Sequence, residues 1–260
     1  MLLAQISDLH LAGPEGPRPA GLDTDAVLAG AVARLNALDP RPDGCVLTGD
    51  LVERPGAEVY ERLRELLSGL RMPWWPMVGN HDDRALLRAA WPGAAGLGAG
   101  PADAFVHYTV EDLPLRLVML DSLRLGSHIG ELCGERLAWL EAQLAAQPAR
   151  PTIVFVHHPP LQVGVPHLDR SGMASASAAA LGEIVRRHPQ VERIACGHLH
   201  RAQAARWHGT LVTVCPGLAH QFALDLREQG RYTPADEGRG YQLHRWHDGC
   251  LTTYTARLDA

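Results

Sequence analysis

Short apolar runs alternate with amphipathic stretches along the whole chain. The apolar runs have the length of buried strands, and the stretches between them keep the spacing of a helix that buries one face. Such alternation is typical of a layered α/β domain, and we expect one domain over residues 1–260. Predicted strands cover 2–6, 45–47, 74–78, 105–110, 115–120, 152–156, 194–196 and 211–214, and predicted helices cover 24–38, 58–70, 135–146 and 174–187.

The composition excludes several classes of protein. With 260 residues, 46% hydrophobic and 20% charged, the chain is long enough to bury a sizeable core. Its net charge of −5 argues against binding to a nucleic-acid polymer, which usually requires an excess of basic residues. No apolar stretch reaches the roughly 18 residues of a membrane-spanning helix, so we expect no membrane contact.

The cysteines and the first residues predict a reducing compartment. Five cysteines are scattered through the chain, an odd number without any C-x-x-C pair. The first residues form an apolar run that leads directly into a polar motif, without the basic leader of a signal peptide. We therefore expect a cytoplasmic protein.

Polar side chains follow five of the apolar runs directly. Loops leave an α/β sheet at such strand ends, and ligand sites form there. Carboxylate, amide and imidazole groups are ligands for Fe, Mn, Zn, Co or Ni. Each fragment alone is more often a surface or turn feature, but their joint occurrence favours a metal site. The fragments are Asp8-Leu9-His10, Gly49-Asp50, Gly79-Asn80-His81-Asp82, His157-His158 and Gly197-His198-Leu199-His200.

Local geometry supports the same interpretation. Glycine precedes the ligand in three of the five fragments, where it permits a close approach of neighbouring loops. On an extended segment the side chains of Asp8 and His10 would point the same way, and so would those of His198 and His200.

The order of these fragments resembles that of the calcineurin-like metallophosphoesterase superfamily. The chain is most similar to its bacterial class III cyclic nucleotide phosphodiesterase and glycerophosphodiesterase branch, over roughly residues 1–221. The resemblance implies an α/β fold, a four-layer αββα sandwich of two mixed sheets flanked by helices. The similar segments include Leu-Leu-Ala-Gln-Ile-Ser-Asp-Leu-His (2–10), Gly-Asn-His-Asp-Asp (79–83), Phe-Val-His-His-Pro-Pro-Leu (155–161) and Pro-Gly-Leu-Ala-His-Gln (216–221).

The resemblance also implies two divalent metal ions (Fe, Mn, Zn or Co) and a bridging hydroxide. Two divalent cations, two carboxylates and one hydroxide sum to a charge of about +1, which suits an anionic phosphate. By this resemblance Asp8, His10 and His200 hold the first ion, Asn80, His157 and His198 hold the second, and Asp50 bridges them.

A mechanism follows from that assignment. The hydroxide attacks phosphorus, and His81 stabilises the transition state or protonates the leaving group. Asn80, His81 and His220 are expected to contact the substrate. Asp82 either hydrogen-bonds to a ligand or caps a helix.

The expected substrate is a small phosphodiester, either a glycerophosphodiester or a 3′,5′-cyclic nucleotide such as cAMP. Few basic residues lie near the motifs to clamp the second charge of a monoester, and only Arg84 and Arg201 follow them closely. A broad-specificity phosphatase acting on phosphomonoesters is the main alternative. A non-catalytic metal-binding scaffold of the same fold is a further alternative, disfavoured because every expected ligand position is filled.

The C-terminal segment predicts a hairpin. Residues 241–246 and 251–256 alternate in polarity around Asp248-Gly249, a two-residue turn. Residues 222–260 are interpreted as a cap or hairpin extension of the domain, and they make a homo-oligomer plausible.

Overall fold

Two β-sheets lie at the centre of the fold. The computed structural model describes residues 1–13, 16–94, 97, 101, 103–235 and 237–258. The strands are β1 Leu2–Ile6, β2 Gly44–Leu47, β3 Trp74–Pro76, β4 Tyr108–Val110, β5 Arg116–Leu120, β6 Thr152–Val156, β7 Val191–Cys196, β8 Gln203–Trp207, β9 Thr210–Val214, β10 Gln221–Phe222, β11 Pro234–Ala235, β12 Gly240–His247 and β13 Cys250–Arg257. The helices are α1 Thr24–Asn36, α2 Ala57–Leu67, α3 Arg84–Ala90, α4 Gly134–Ala146, α5 Pro166–Asp169 and α6 Ser175–Arg187, with a 3-10 turn at Pro19–Gly21.

Both large sheets are mixed. The first has the order β13-β12-β1-β2-β3, in which β1, β2 and β3 are parallel and β12 is antiparallel to β1. The second has the order β4-β5-β6-β7-β9-β8, with a parallel centre and antiparallel edge strands. Strands β10 and β11 form a separate pair. The predicted fold class is confirmed.

The second sheet divides the apolar residues into two cores. Alternate residues of a strand point to opposite faces. Accordingly, Met119 and Phe155 join the core shared with the first sheet, α1 and α2, whereas Leu120 and Val156 join the core under α4 and α6. The layers therefore follow from the two-residue period of the central strands.

Most predicted elements are present, with ends that differ by a few residues. The structure adds β8, whose sequence Gln-Ala-Ala-Arg-Trp lacks an apolar run because it is a half-exposed edge strand. It also adds α3, capped by the Asp83 carboxylate, which accepts from the Leu86 N–H. Pro76 is accommodated because β3 is an edge strand. In the part of the chain that is described, no helix has the length and hydropathy to cross a membrane.

The predicted C-terminal hairpin forms and completes the first sheet. Asp248 and Gly249 have φ values of 49° and 72°, the left-handed conformation that a tight two-residue turn requires. Strand β12 then pairs with β1, so the last strands enclose the strand that carries the first polar motif.

A buried histidine connects this hairpin to β1. His244 is fully buried, with its Nε2 2.9 Å from Gln5 Oε1 and its Nδ1 2.8 Å from Thr253 Oγ1. Burial, with a smaller contribution from the charge of Arg193, lowers the pKa of His244 to about 3. The folded protein therefore keeps this ring neutral where an unfolded chain would protonate it.

We predict that His244 makes the fold sensitive to acid. Because its folded pKa lies below its ordinary value of 6.5, its contribution is present at neutral pH and lost as pH falls below about 6.5. Between pH 7.5 and 5.0, wild type should lose about 2 kcal/mol more of its free energy of unfolding than His244→Gln. Chemical denaturation at both pH values measures this difference, and equal losses in the two proteins would contradict it.

Candidate metal centre

The seven predicted ligands converge where the strands of the two sheets end. Asp8 and His10 follow β1, Asp50 follows β2 and Asn80 follows β3. His157 follows β6, and His198 and His200 follow β7, of the second sheet. Five of the seven contribute ligand atoms to two overlapping groups of three. In each group, Asp8-His10-His200 and Asp8-Asp50-His157, the atoms lie within 4.8 Å of one another.

Asp50 lies between the imidazoles of His10 and His157. Its Oδ2 is 3.3 Å from His157 Nε2 and 3.7 Å from His10 Nε2. Its Oδ1 accepts from the main-chain N–H of His81 at 2.9 Å. Asn80 Oδ1 is 3.3 Å from His157 Nε2. One carboxylate therefore faces imidazoles on both sides, the position expected for a bridging ligand.

The backbone around the ligands is strained. The φ values of Asp8, His10, Asp50, His198 and His200 are 54°, 43°, 48°, 72° and 50°, in the left-handed region that non-glycine residues seldom adopt. The expectation that the two Asp/His-x-His pairs are extended is therefore wrong. Left-handed backbone conformations direct these side chains into one site. The N–H groups of Asp8 and His10 donate to the carbonyls of Gly49 and Asp50, which fixes this loop beside the next one.

The glycines of the motifs allow the loops to touch. A Cβ at Gly79 would lie 2.2 Å from Asp50 Oδ1, and one at Gly197 would lie 1.9 Å from Ser7 Oγ. At Gly49, φ is +87° and a Cβ would be 2.7 Å from His157 Nδ1. No other residue fits these positions without displacing the ligand loops.

Hydrogen bonds fix which nitrogen of each imidazole faces inward. The Nδ1 atoms of His157 and His200 lie 2.7 and 2.9 Å from the carbonyl oxygens of Thr48 and His220, which can only accept. Both rings therefore carry the proton on Nδ1 and turn Nε2 towards the cluster.

The other two imidazoles follow the same rule. His10 Nδ1 is 2.7 Å from the Glu53 carboxylate, so Nδ1 donates and Nε2 faces inward, 3.1 Å from His200 Nε2. His198 Nε2 donates to the carbonyl of Ser171 at 2.7 Å, which leaves a buried Nδ1 without a partner among the described residues.

These residues fit divalent metal ions. When the rings are neutral, His10 and His200 direct two nitrogen lone pairs at each other, which is unfavourable unless a cation lies between them. The same holds for the unpartnered Nδ1 of His198. Nitrogen and oxygen donors without thiolate suit Fe, Mn, Zn or Co.

Burial and neighbouring charges shift the pKa values of the proposed ligands. Burial raises the pKa of Asp8 to about 6 and lowers that of His198 to about 3. For His157 the effect of burial is outweighed by the charge of Asp50, and its pKa rises to about 9. A proton at His157 Nε2 and a metal ion therefore compete for the same lone pair.

His81 is held beside the ligands and lines the cavity. Its Nδ1 donates to the Glu53 carbonyl at 2.9 Å, which leaves Nε2 for a bound molecule. Asp82 accepts from the N–H groups of Gly79 and Leu51 and from the Tyr60 hydroxyl. Of the two roles considered for Asp82, the structure shows hydrogen bonds to the ligand loops, and the helix cap is its neighbour Asp83.

Of the remaining residues near the motifs, one lines the cavity and the others contact groups within the protein. His220 lines the cavity, and its carbonyl fixes His200. His158 Nδ1 bonds to Ser122 Oγ at 2.8 Å. A ring nitrogen of His158 also lies within 4.8 Å of ring nitrogens of His157 and His198, and these three residues form a third group of potential metal ligands. Arg84 and Arg201 make internal contacts, with the Asp121 carboxylate and with the Phe222 carbonyl.

Comparison with known proteins identifies the family. The profile of the calcineurin-like phosphoesterases matches residues 1–202. The chain belongs to the calcineurin-like phosphoesterase family. The resemblance inferred from the motifs is thereby confirmed.

Curated relatives in this family carry names from both predicted branches. The chain is 31% identical to a probable glycerophosphodiester phosphodiesterase, GpdQ, of Arcobacter nitrofigilis, covering 99% of this chain and 93% of the relative. It is 36% identical to GpdQ of Enterobacter lignolyticus, covering 85% and 78%. It is 29% identical to the 3′,5′-cyclic adenosine monophosphate phosphodiesterase CpdA of Escherichia coli, covering 98% and 89%. These names agree with the predicted metal-dependent phosphodiester hydrolase.

A solved structure supports the fold. A dimetal phosphatase from Danio rerio superposes with a TM-score of 0.73, covering 99% of this chain and 96% of that one. At 14% identity this likeness concerns the fold alone.

The calcineurin-like site includes residues that the motifs did not reveal. Glu53 binds His10, but its position three residues after the Gly49-Asp50 fragment gave no sign of this contact. The Nδ1 atom of His128, a residue outside every fragment, lies 3.1 Å from Asn80 Nδ2. Arg170 and Tyr232 line the same cavity, of about 760 Å³. Only the folded chain brings these residues to the ligands.

We predict that Glu53 tunes the affinity of the site for metal. Its carboxylate makes His10 Nδ1 a donor, which orients the ring and raises the basicity of Nε2. Glu53→Ala should weaken the binding of Mn²⁺ roughly 10–100-fold, measured by calorimetry. Glu58→Ala, an exposed carboxylate of α2, is the matched control and should bind as wild type does. Unchanged affinity in Glu53→Ala would contradict this role.

Proposed function

We propose that this chain is a binuclear-metal phosphodiesterase that hydrolyses small phosphodiesters, either glycerophosphodiesters or 3′,5′-cyclic nucleotides. The observation that carries the proposal is the common orientation of His10, His157, His198 and His200. Each ring donates a hydrogen bond outward, which leaves its other nitrogen available as a metal ligand. The inward nitrogens of His10 and His157 lie 3.7 and 3.3 Å from Asp50 Oδ2. The names of the curated relatives supply the reaction class.

The proposed ligands divide into two sets. Two divalent ions at this position would supply charge stabilisation and an activated water for attack on phosphorus. Asp50 lies between the sets, with its Oδ2 near His10 of one set and His157 of the other. Its Oδ1 accepts a hydrogen bond from the His81 N–H. One set is Asp8, His10 and His200, and the other is Asn80, His157 and His198.

His81 is the proposed acid or charge stabiliser. Its ring is anchored through Nδ1 and its main chain through Asp50, so its position does not depend on the substrate. A substrate in the cavity would meet the second ring nitrogen, where a proton could pass to the leaving oxygen. His220 lines the same cavity and is a proposed contact for the phosphate.

The distribution of arginines favours diesters over monoesters. Arg84 and Arg201, the basic residues nearest to the motifs, are bound to protein groups. Arg170 is the one arginine among the described residues that line the cavity. A diester carries one negative charge and a monoester nearly two at neutral pH, so the second charge of a monoester would find few partners.

We predict that His81→Ala lowers kcat by roughly 10²–10⁴ while both metal ions remain bound. The loss should be smaller for a p-nitrophenyl leaving group, which hardly needs protonation. Steady-state kinetics on activated and unactivated diesters, with metal analysis of the variant, test this. Equal losses on both substrates would show that His81 acts by charge alone.

The substrate class is tested by a hydrolysis panel. We predict that bis-p-nitrophenyl phosphate gives a higher kcat/KM than p-nitrophenyl phosphate with the same added metal, Mn²⁺, Co²⁺, Zn²⁺ or Fe²⁺. The panel includes glycerophosphodiesters and 3′,5′-cAMP, each beside its monoester product. A higher kcat/KM for the monoesters would replace the proposal with a metallophosphatase, and stoichiometric metal without hydrolysis would indicate a scaffold.

A further inference from the structure

One wall of the cavity is a continuous series of aromatic rings. The ring of Phe222 lies 4.8 Å from that of the proposed ligand His200, and the ring of Tyr232 lies 5.0 Å from Phe222. His167 follows, with its ring 5.1 Å from Tyr232. All four residues line the cavity, so the aromatic wall begins at the ligands and extends away from them.

This wall is accessible and held in place. Tyr232 retains 45% of its accessible surface, and Ile129, at the same cavity, retains 39%. The Tyr232 hydroxyl donates to the His167 carbonyl at 2.9 Å and also bonds to Ser171 Oγ. A ring fixed in this way loses little conformational entropy when a ligand packs on it.

The chemistry of the wall discriminates between the two candidate substrates. A planar aromatic group stacks favourably on aromatic side chains, irrespective of its hydrogen-bonding pattern. A glycerol arm offers hydroxyl groups that need polar partners, and the hydrogens of the Tyr232 and Ser171 hydroxyls are already donated within the protein. The wall therefore suits an aromatic arm better than a glycerol arm.

We infer that Phe222 and Tyr232 form a subsite for a planar aromatic ester arm, such as a nucleobase-bearing one. The subsite makes the protein select diesters with this arm over glycerophosphodiesters. This inference rests on the proposed phosphodiesterase function and specifies its substrate class.

The test compares the selectivity of wild type and variants. The selectivity is the kcat/KM for 3′,5′-cAMP divided by the kcat/KM for glycerophosphoethanolamine, both measured with the metal-loaded protein. Phe222→Leu and Tyr232→Leu keep apolar volume but lose the ring, and each should lower this ratio about tenfold, mainly through a higher KM for cAMP.

Two matched variants separate the ring from other effects. Tyr232→Phe keeps the ring and loses the hydroxyl, so it should keep most of the wild-type ratio. Leu224→Ala changes an exposed residue of the same segment that does not line the cavity, and it should keep the ratio unchanged.

The possible failures are distinguishable. If wild type hydrolyses both diesters but both leucine variants keep its ratio, the aromatic subsite is wrong and the proposed function stands. A ratio that falls as far in Tyr232→Phe as in Tyr232→Leu would also overturn it, because the hydroxyl would then be responsible. If wild type with metal hydrolyses neither diester, the proposed function itself fails.

Discussion

Four imidazoles are kept with their lone pairs turned towards one another by acceptors placed behind them. Three of these acceptors are main-chain carbonyls, from Thr48, Ser171 and His220, and the fourth is the Glu53 carboxylate. A carbonyl cannot donate, so the tautomer of each ring it contacts is set by the backbone. The inward nitrogens and the carboxylates therefore form a donor set that fits divalent cations, and burial raises the pKa of Asp8 to about 6.

This arrangement depends on the two sheets meeting at their strand ends. The first sheet supplies the carboxylates and the second supplies three of the four imidazoles. The loops approach so closely that glycine is required at Gly79 and Gly197. The C-terminal hairpin takes part indirectly, because β12 pairs with β1 and the buried His244 contacts β1 through Gln5. The core and the site are therefore stabilised by the same strand contacts.

Local patterns predicted an α/β domain, most strands and the polar fragments that contain the seven proposed ligands, because each fragment sits directly after an apolar run. The four-layer sandwich and the assignment of the ligands came from the resemblance to the family. The residues that hydrogen-bond to the ligands, and those that line the cavity beside them, could not be predicted in this way. Glu53 and His128 meet their partners only through contacts across 43 and 48 residues of chain. The left-handed conformations of Asp8 and His198 were not predicted either, because tertiary hydrogen bonds and not the local sequence impose them. Tyr232 reaches the cavity from a segment without any motif.

We expect the inward nitrogens and the carboxylates to bind two metal ions, one on either side of Asp50. Anomalous diffraction from crystals grown with Mn²⁺ tests it most directly. We predict two peaks roughly 3.5–4 Å apart, with Asp50 in contact with both. One peak should lie beside Asp8, His10 and His200, and the other beside Asn80, His157 and His198. A single peak, or an ion held by His157, His158 and His198 without Asp50, would contradict it.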